Sequence, residues 1–168
     1  PTFCHGQEMN KILTPDEALQ RLEALCARSE QCSSDLMKKL RRWGIPQDAA
    51  EEILENLKST RHLDDSRFAS AYVRDKYLFA GWGRNKIKAG MYAKGIARGD
   101  IDTALESINT REYAQTAFRA IKAKLRTTDR TDMNKCRDKL LRFGLSRGYE
   151  MALILRIIDS KSLWLKKD

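Results

Sequence analysis

The segment Leu40-Arg41-Arg42-Trp43-Gly44-Ile45 has two counterparts later in the chain, and each contains a glycine followed by an aliphatic residue. The counterparts are Met91-Tyr92-Ala93-Lys94-Gly95-Ile96 and Leu140-Leu141-Arg142-Phe143-Gly144-Leu145. The three glycines are about 50 residues apart, and apolar residues also agree at matching offsets before and after each glycine. Agreement at this many offsets predicts three tandem repeats.

Each repeat is predicted to contain a helix that ends at its glycine. In the first repeat, Leu36 and Leu40 fall on one helical face ahead of Gly44. A glycine is predicted at this point because it adopts the left-handed backbone conformation that closes many helices. Gly95 and Gly144 are predicted to end the equivalent helices of the second and third repeats.

Helices are also predicted on both sides of this central helix. Thr14-Pro15-Asp16-Glu17 has the pattern of a capping box and starts the first helix of the first repeat. Asp64 or Asp65 is predicted to start the first helix of the second repeat. In the first helix of the third, Thr110 precedes the apolar pattern Tyr113, Ala117, Ile121 and Leu125. After the glycine, Ser146 is predicted to be the N-cap of the last helix of the third repeat.

These helices predict an all-α fold of three tandem three-helix repeats, at residues 14–60, 61–109 and 110–160. Because a helix trio of this size buries little apolar surface alone, neighbouring repeats are expected to share a core or stack. We therefore expect an elongated, curved helical solenoid. Residues 1–13 are predicted to be a flexible N-terminal tail, and residues 161–168 a C-terminal tail.

The composition is that of a folded protein with an uneven excess of positive charge. Hydrophobic residues make up 42% of the 168-residue chain and charged residues 33%, and the net charge is +9. By segment, the net charge is −2 for residues 1–60, +3 for residues 61–110 and +8 for residues 111–168. This asymmetry predicts that the last third approaches a polyanion or an acidic protein groove. A solvated basic face that only maintains solubility is the alternative.

Location is indicated by the absence of other signals. No apolar run approaches the ~20 residues needed to cross a bilayer, and the N-terminus lacks a secretory pattern. The four cysteines, Cys4, Cys26, Cys32 and Cys136, include no C-x-x-C pair, so reduced thiols are expected. A cytoplasmic protein without a membrane partner is therefore predicted.

No catalytic, cofactor or metal site is predicted. The two histidines are His5, in the predicted tail, and His62, which is expected at the surface. The glycines around Trp82 lack the third glycine of a dinucleotide-binding fingerprint, and a Walker sequence is absent as well. The pair Asp64-Asp65 is predicted to cap a helix rather than to bind a metal. These observations favour a binding protein over an enzyme.

Basic residues on the central helices are the candidates for partner contact. They recur at helical spacing beside the apolar face in the second and third repeats, as phosphate-binding residues would. Trp82 and Tyr92 could stack on bases near the basic residues of the second repeat, although packing is the commoner role of such aromatics. The candidates are Arg84, Lys86, Lys88 and Lys94 in the second repeat and Lys135, Lys139, Arg142 and Arg147 in the third.

The start of the second repeat resembles the RecX family. The run Arg61-His62-Leu63-Asp64-Asp65-Ser66-Arg67-Phe68-Ala69 is similar to that family's signature, and Tyr72, Gly83, Ile87 and Gly95-Ile96 follow it. In the first repeat, Ser34-Asp35-Leu36, Lys39-Leu40 and Gly44 resemble the family's second helix. The resemblance covers about residues 14–160. One departure is His62, where the family usually has a glycine.

The resemblance implies a regulator, mostly an inhibitor, of the RecA recombinase. Family members bind the RecA filament on single-stranded DNA and restrain its ATP hydrolysis, strand exchange and co-protease activity in recombination, DNA repair and the SOS response. Weak binding to single-stranded or double-stranded DNA and a monomeric state are expected. By the same resemblance, residues of the signature are fold determinants: Leu63, Asp64, Asp65, Phe68, Tyr72 and Gly95. A sequence-independent DNA-binding or architectural helical protein is the alternative function.

Overall fold

A computed structural model describes residues 13–165, and every regular element in that range is an α-helix. The ten helices fall into three triplets, α1–α3, α4–α6 and α7–α9, followed by the short α10. No helix in residues 13–165 is both long and apolar enough to cross a bilayer. The all-α fold built from three-helix groups is therefore confirmed. The helices are α1 (Pro15–Arg28), α2 (Ser33–Arg42), α3 (Gln47–Ser59), α4 (Asp65–Leu78), α5 (Arg84–Ala93), α6 (Arg98–Glu106), α7 (Thr110–Arg126), α8 (Met133–Ser146), α9 (Met151–Asp159) and α10 (Lys161–Trp164).

The first compact unit extends to residue 65 and contains α1–α3. Its first helix begins with the predicted capping box. The Thr14 hydroxyl accepts a hydrogen bond from the Glu17 backbone N–H at 3.2 Å, and the Glu17 carboxylate accepts one from the Thr14 N–H at 3.0 Å. The core is formed by the apolar faces of the three helices together with Leu13 and Leu63. Leu13 is 5% exposed, so the predicted N-terminal tail is wrong at this residue, while residues 1–12 lie outside the described part of the chain.

α4 begins at Asp65, as predicted. The Asp65 side chain, however, caps another helix, α2. Its carboxylate accepts hydrogen bonds from the Ser33 backbone N–H at 2.8 Å and from the Ser33 hydroxyl at 2.7 Å. Ser33 is the first residue of α2, whose own N-cap residue, Cys32, makes no side-chain cap bond. An acidic side chain thus satisfies a helix N-terminus, but that terminus is 32 residues away in sequence.

The central helices of the first two triplets end at the predicted glycines. Gly44 has φ 74° and Gly95 has φ 70°, both in the left-handed region. The following isoleucine donates its N–H to the carbonyl five residues earlier, from Ile45 to Leu40 and from Ile96 to Met91. This is the hydrogen-bond pattern of a Schellman motif, and it buries each isoleucine against the helix that it closes.

In the third triplet the prediction for Gly144 is wrong by one helical turn. Gly144 is a buried helical residue of α8, and the helix ends instead at Gly148, whose φ is 88°. Tyr149 donates its N–H to the Gly144 carbonyl, as Ile45 and Ile96 do in their own motifs. A Cβ at Gly144 would lie 2.8 Å from the Ile154 side chain, so this glycine is required for space. The segment Phe143-Gly144-Leu145 resembles the earlier motifs because it also requires a glycine. Gly144 is required for space, whereas Gly44 and Gly95 are required for a left-handed backbone.

Two predictions near the end of the chain are also wrong. Ser146 is the last residue of α8 and not an N-cap, since α8 continues past Gly144 and Glu150 precedes α9. The predicted C-terminal tail contains α10, in which Leu163 is 1% exposed. The Trp164 indole N–H donates to the Ile158 carbonyl at 2.8 Å and fixes α10 against the end of α9. Residues 166–168 lie outside the described part of the chain.

The second compact unit starts at residue 66 and contains the second and third triplets. The two triplets meet where the start of α5 and the residue before it contact the residues after α8. The Gly83 N–H donates to the Arg147 carbonyl at 2.7 Å, and the Asn85 N–H donates to the Gly148 carbonyl at 3.0 Å. A Cβ at Gly83 would lie 2.1 Å from the Gly148 carbonyl carbon. We call this contact the glycine joint, and it requires that neither glycine carry a side chain.

Gly83→Ala is expected to lower the free energy of unfolding by about 3 kcal/mol, because the new methyl group overlaps backbone that cannot move without breaking the joint. Gly99→Ala is the matched control. Gly99 lies in α6 with open space around it, so its replacement is expected to raise stability by about 0.5 kcal/mol. Urea denaturation of both variants measures the difference. Equal stabilities would contradict the role assigned to the joint.

Candidate partner-binding surface

All eight basic residues predicted for partner contact lie in the second compact unit. They divide into two that make internal contacts and six that lie on or beside two separate surfaces. The internal pair is Arg84 and Arg147. The surface residues lie on or directly after α5, for Lys86, Lys88 and Lys94, and on α8, for Lys135, Lys139 and Arg142.

Arg84 is part of a polar cluster beside the glycine joint. Its guanidinium is 3.0 Å from the Glu150 carboxylate and lies 4.2 Å from the centre of the Tyr113 ring. The Tyr113 hydroxyl donates to the same carboxylate at 2.6 Å and accepts from the Arg84 backbone N–H at 2.8 Å. Every group in this cluster therefore has a partner within the unit, and Arg84 connects α5 to α7 and α9.

The cluster shifts the ionisation of its members. Burial would raise the pKa of the Glu150 carboxyl, but hydrogen bonds from Tyr113 and Arg84 outweigh burial and leave this pKa below its usual value. For the Tyr113 hydroxyl, burial comes first and the hydrogen bond to Glu150 second, and both raise its pKa. Glu150 is therefore held as a carboxylate and Tyr113 as a neutral donor at neutral pH.

Arg147 is similarly occupied. Its guanidinium donates to the Ala80 carbonyl at 3.2 Å and lies 5.2 Å from the centre of the Phe143 ring. Its own carbonyl accepts the Gly83 N–H of the joint. Because Arg147 contacts residues on both sides of the joint, its position is explained by packing between the second and third triplets.

Lys86 and Lys94 belong to a line of alternating cationic and aromatic side chains along α4 and α5, which we call the cation–aromatic row. The Lys94 ammonium lies 5.7 Å from the Phe68 ring centre, and Phe68 is 5.6 Å from Tyr72. The Lys76 ammonium lies 5.3 Å from Tyr72 and 4.9 Å from Trp82, and the Lys86 ammonium lies 4.5 Å from Trp82. The row, in spatial order, is Lys94, Phe68, Tyr72, Lys76, Trp82 and Lys86.

The row follows from helical spacing and from one close helix contact. Phe68, Tyr72 and Lys76 are four residues apart and therefore lie on one face of α4. A Cβ at Gly90 would lie 2.3 Å from the Tyr72 hydroxyl, so the absence of a side chain at this position of α5 makes room for the tyrosine. Each member of the row is half-buried, which leaves part of each ring and ammonium group accessible. Lys88 is not part of the row. Its ammonium lies 6.0 Å from the ring centre of the exposed Tyr92.

The α8 residues Lys139 and Arg142 face a groove between the end of α7 and α8, which we call the basic groove. Its volume is about 700 Å³, and Lys124 contributes a third cation. The Lys124 ammonium lies 5.7 Å from the ring centre of Phe143, which also lines the groove. The groove is lined by Lys124, Thr127, Thr128, Asp129, Lys139, Arg142, Phe143 and Ser146.

One carboxylate lines the basic groove. Asp129 accepts hydrogen bonds from the Thr131 N–H and hydroxyl, and these bonds, with the nearby charge of Lys139, lower its pKa. Lys135 lies outside the groove, one turn before Lys139, in an exposed ion pair with Asp132 at 3.5 Å. Three cations against one carboxylate leave the groove net positive, which suits a phosphate or carboxylate ligand.

Metal chemistry has no evident location in residues 13–165, where no group of three or more His, Cys, Asp or Glu side chains is placed to bind an ion. Cys32 and Cys136 are free thiols. Cys4 and His5 lie outside the described residues.

Sequence reasoning missed Lys76 and Lys124, which complete the two surfaces. A signal for Lys76 exists, because it stands four residues after Tyr72 and eight after Phe68 on the predicted helix. Lys124 has no comparable signal, since its neighbours in the groove come from another helix.

Comparison with known proteins identifies relatives along most of the chain. The family described as "RecX, second three-helix domain" matches residues 64–105. A protein of Streptomyces coelicolor named "Regulatory protein RecX" is 27% identical over 148 residues, covering 86% of this chain and 79% of its own. A protein of the same name from Pseudomonas putida is 29% identical and covers 92% of this chain and 98% of its own.

A solved structure named "Crystal structure of regulatory protein RecX" has the same fold. It superposes with a TM-score of 0.79 at 24% sequence identity, over 87% of this chain and 73% of its own. The structural similarity therefore covers all three helix triplets and does not depend on high sequence identity.

Glu150→Gln is expected to remove part of the acid sensitivity of the fold. Because folding lowers the pKa of Glu150, the stabilisation from its carboxylate is complete at pH values above the pKa of the unfolded state, ~4.3. This stabilisation is lost as the pH falls through the pKa of the folded state. The variant should be less stable than the wild type by about 1 kcal/mol at pH 7, and the difference should shrink below about pH 4. Urea denaturation between these pH values measures it.

Glu106→Gln controls for the loss of one negative charge, because Glu106 is exposed at the end of α6. A difference between wild type and Glu150→Gln that stayed constant from pH 7 to strongly acidic pH would contradict the assigned role of Glu150.

Proposed function

We propose that this chain, which is similar to regulatory RecX proteins along most of its length, regulates the RecA recombinase by binding the RecA filament on single-stranded DNA. In this proposal the protein acts mostly as an inhibitor, and it restrains the ATP hydrolysis, strand exchange and co-protease activity of the RecA filament. The proposal assigns no chemical step to the protein itself. Its effect comes from binding energy that favours one state of the filament over another.

The observation that carries the proposal is the presence of two cationic surfaces, the cation–aromatic row and the basic groove, in one compact unit. A nucleoprotein filament presents phosphates and protein carboxylates that repeat along its length. Two surfaces held in a fixed relation can contact such a polymer at two points. The second contact is then intramolecular, so strong overall binding does not require strong single contacts.

Six of the eight candidate basic residues support this role. Lys86, Lys94, Lys139 and Arg142 belong to the two surfaces, whereas Lys88 and Lys135 flank them. Arg84 and Arg147 have internal partners, and their contribution to binding would be to hold the surfaces in place.

The first test is the DNA-dependent ATPase activity of the cognate RecA protein, measured at constant DNA while this protein is titrated. Inhibition at a small fraction of the RecA concentration is expected, because a filament regulator acts on growth or assembly. Excess single-stranded DNA serves as the control. Inhibition that required saturation of the DNA and disappeared with excess DNA would contradict the proposal and indicate competition for the strand.

The second test is charge reversal in the basic groove. Lys139→Glu with Arg142→Glu is expected to weaken filament binding by about tenfold or more, because two attractive contacts become repulsive. Lys58→Glu with Arg98→Glu changes the net charge equally on exposed helix positions of α3 and α6. Sedimentation with filaments measures binding, and circular dichroism checks folding. Equal binding of the two double variants would remove the basic groove from the proposal.

A second candidate function, sequence-independent DNA binding, is favoured by the cation–aromatic row. Partly exposed rings between ammonium groups can stack on bases while the cations contact phosphates. This function predicts tight binding to naked DNA with a steep dependence on salt and no requirement for a recombinase. Fluorescence anisotropy with labelled DNA at several salt concentrations distinguishes it from the first.

A further inference from the structure

A third surface, not among the sequence candidates, lies where α7, α9 and α10 meet. It is a groove of about 520 Å³ with an apolar floor and an arginine at three places on its edge. The floor consists of Ala114, Phe118, Leu153 and Ile157, and the edge carries Arg111, Arg119 and Arg156, with Gln115, Ser160 and Ser162 completing the lining. We call it the arginine-edged groove.

The groove contains no carboxylate among its lining residues. The acidic side chains of α7 and α9 are engaged elsewhere, Glu112 with the Tyr77 hydroxyl and Asp159 with Arg137. Glu150, directly before α9, pairs with Arg84. Arg111 and Arg156 have no ion pair with any residue of the described chain. The arginines therefore give this groove a positive edge that nothing in residues 13–165 neutralises.

The groove is held open by contacts at its far end. The Lys122 ammonium donates to the Ser162 carbonyl at 3.2 Å and to the Leu165 carbonyl at 3.0 Å, which ties the end of α10 to α7. The Trp164 indole bonds to the end of α9. The wall formed by α10 is thus fixed to both other helices, and the apolar floor stays accessible.

We propose that the arginine-edged groove binds an acidic amphipathic peptide segment of a partner protein. Bulky apolar side chains of the segment would fill the floor over Phe118 and Leu153. Carboxylates next to them would pair with Arg111, Arg119 and Arg156, since guanidinium groups match carboxylates in geometry as well as in charge. This binding does not rest on the regulatory role proposed above.

The floor argues for a peptide over a nucleic acid. Phosphate-binding grooves combine cations with polar groups or with several stacking rings, as in the cation–aromatic row. The arginine-edged groove offers aliphatic side chains and a single ring, which match the apolar face of a helix lying in a groove. The arginines favour negatively charged ligands, and the apolar floor restricts these to ligands that also carry apolar side chains.

The test uses a synthetic peptide of about 15 residues, designed as an amphipathic helix with Leu and Phe on one face and Glu on either side of that face. Fluorescence anisotropy of the labelled peptide measures its affinity for the full-length protein. One control peptide keeps every Glu but replaces Leu and Phe by Ser, and a second keeps the apolar face but replaces Glu by Lys. We expect both controls to bind at least about tenfold more weakly than the designed peptide.

The protein variants locate the binding. Arg111→Glu with Arg156→Glu is expected to weaken binding of the designed peptide by about tenfold or more. Lys58→Glu with Arg98→Glu, which changes the net charge equally, is expected to leave it unchanged. Both pairs lie on exposed helix positions, and circular dichroism checks that the variants are folded.

Three results would overturn the proposal. The first is no saturable binding of the designed peptide up to about 1 mM. The second is equal binding of the Ser-substituted peptide, which would reduce the attraction to net charge alone. The third is an equal loss of affinity in both double variants. If single-stranded DNA of about 20 nucleotides instead lost affinity only in the Arg111 and Arg156 variant, the groove would be reassigned to nucleic acid.

Discussion

The second compact unit depends on a contact in which two backbone segments touch with no side chain between them. Gly83 and Gly148 come together at the glycine joint, and two N–H groups there reach carbonyls of the opposite segment. Buried backbone groups must find partners, and the joint satisfies them between residues 63 or more positions apart. The cluster of Arg84, Tyr113 and Glu150 lies beside it and adds charge-assisted hydrogen bonds. Two candidate arginines are thereby explained by internal contacts, which leaves six basic residues as candidates for partner contact.

Much of the fold was predictable because its signals are local in sequence. The capping box at Thr14, the glycine ends at Gly44 and Gly95, and the buried face of α7 each depend on residues within a few helical turns. The wrong assignment of Gly144 has a physical cause. A glycine needed for a left-handed turn and a glycine needed for a close helix contact look identical in sequence, and only the position of Ile154 separates them.

The candidate surfaces were less predictable, because charge patterns do not show which cations already have partners. Arg84 and Lys88 are four residues apart on the same predicted helix, and the sequence does not distinguish them. In the structure, Arg84 pairs with the carboxylate of Glu150, 66 residues away. The sequence suggests both base stacking and packing for Trp82, and the structure places two ammonium groups within 5 Å of its ring centre. The arginine-edged groove left no sequence signal, since its floor and edge combine residues from α7, α9 and α10.

The glycine joint also determines how the second unit opens. The amide protons of Gly83 and Asn85 are bonded to carbonyls of a different triplet, so no opening confined to one triplet can expose them without separating the two. We therefore expect the second and third triplets to behave as a single foldon, with these two amides, one directly before α5 and one in its first turn, exchanging with solvent as slowly as amides in the helical core. Slow exchange at these two positions would then report the integrity of both triplets at once.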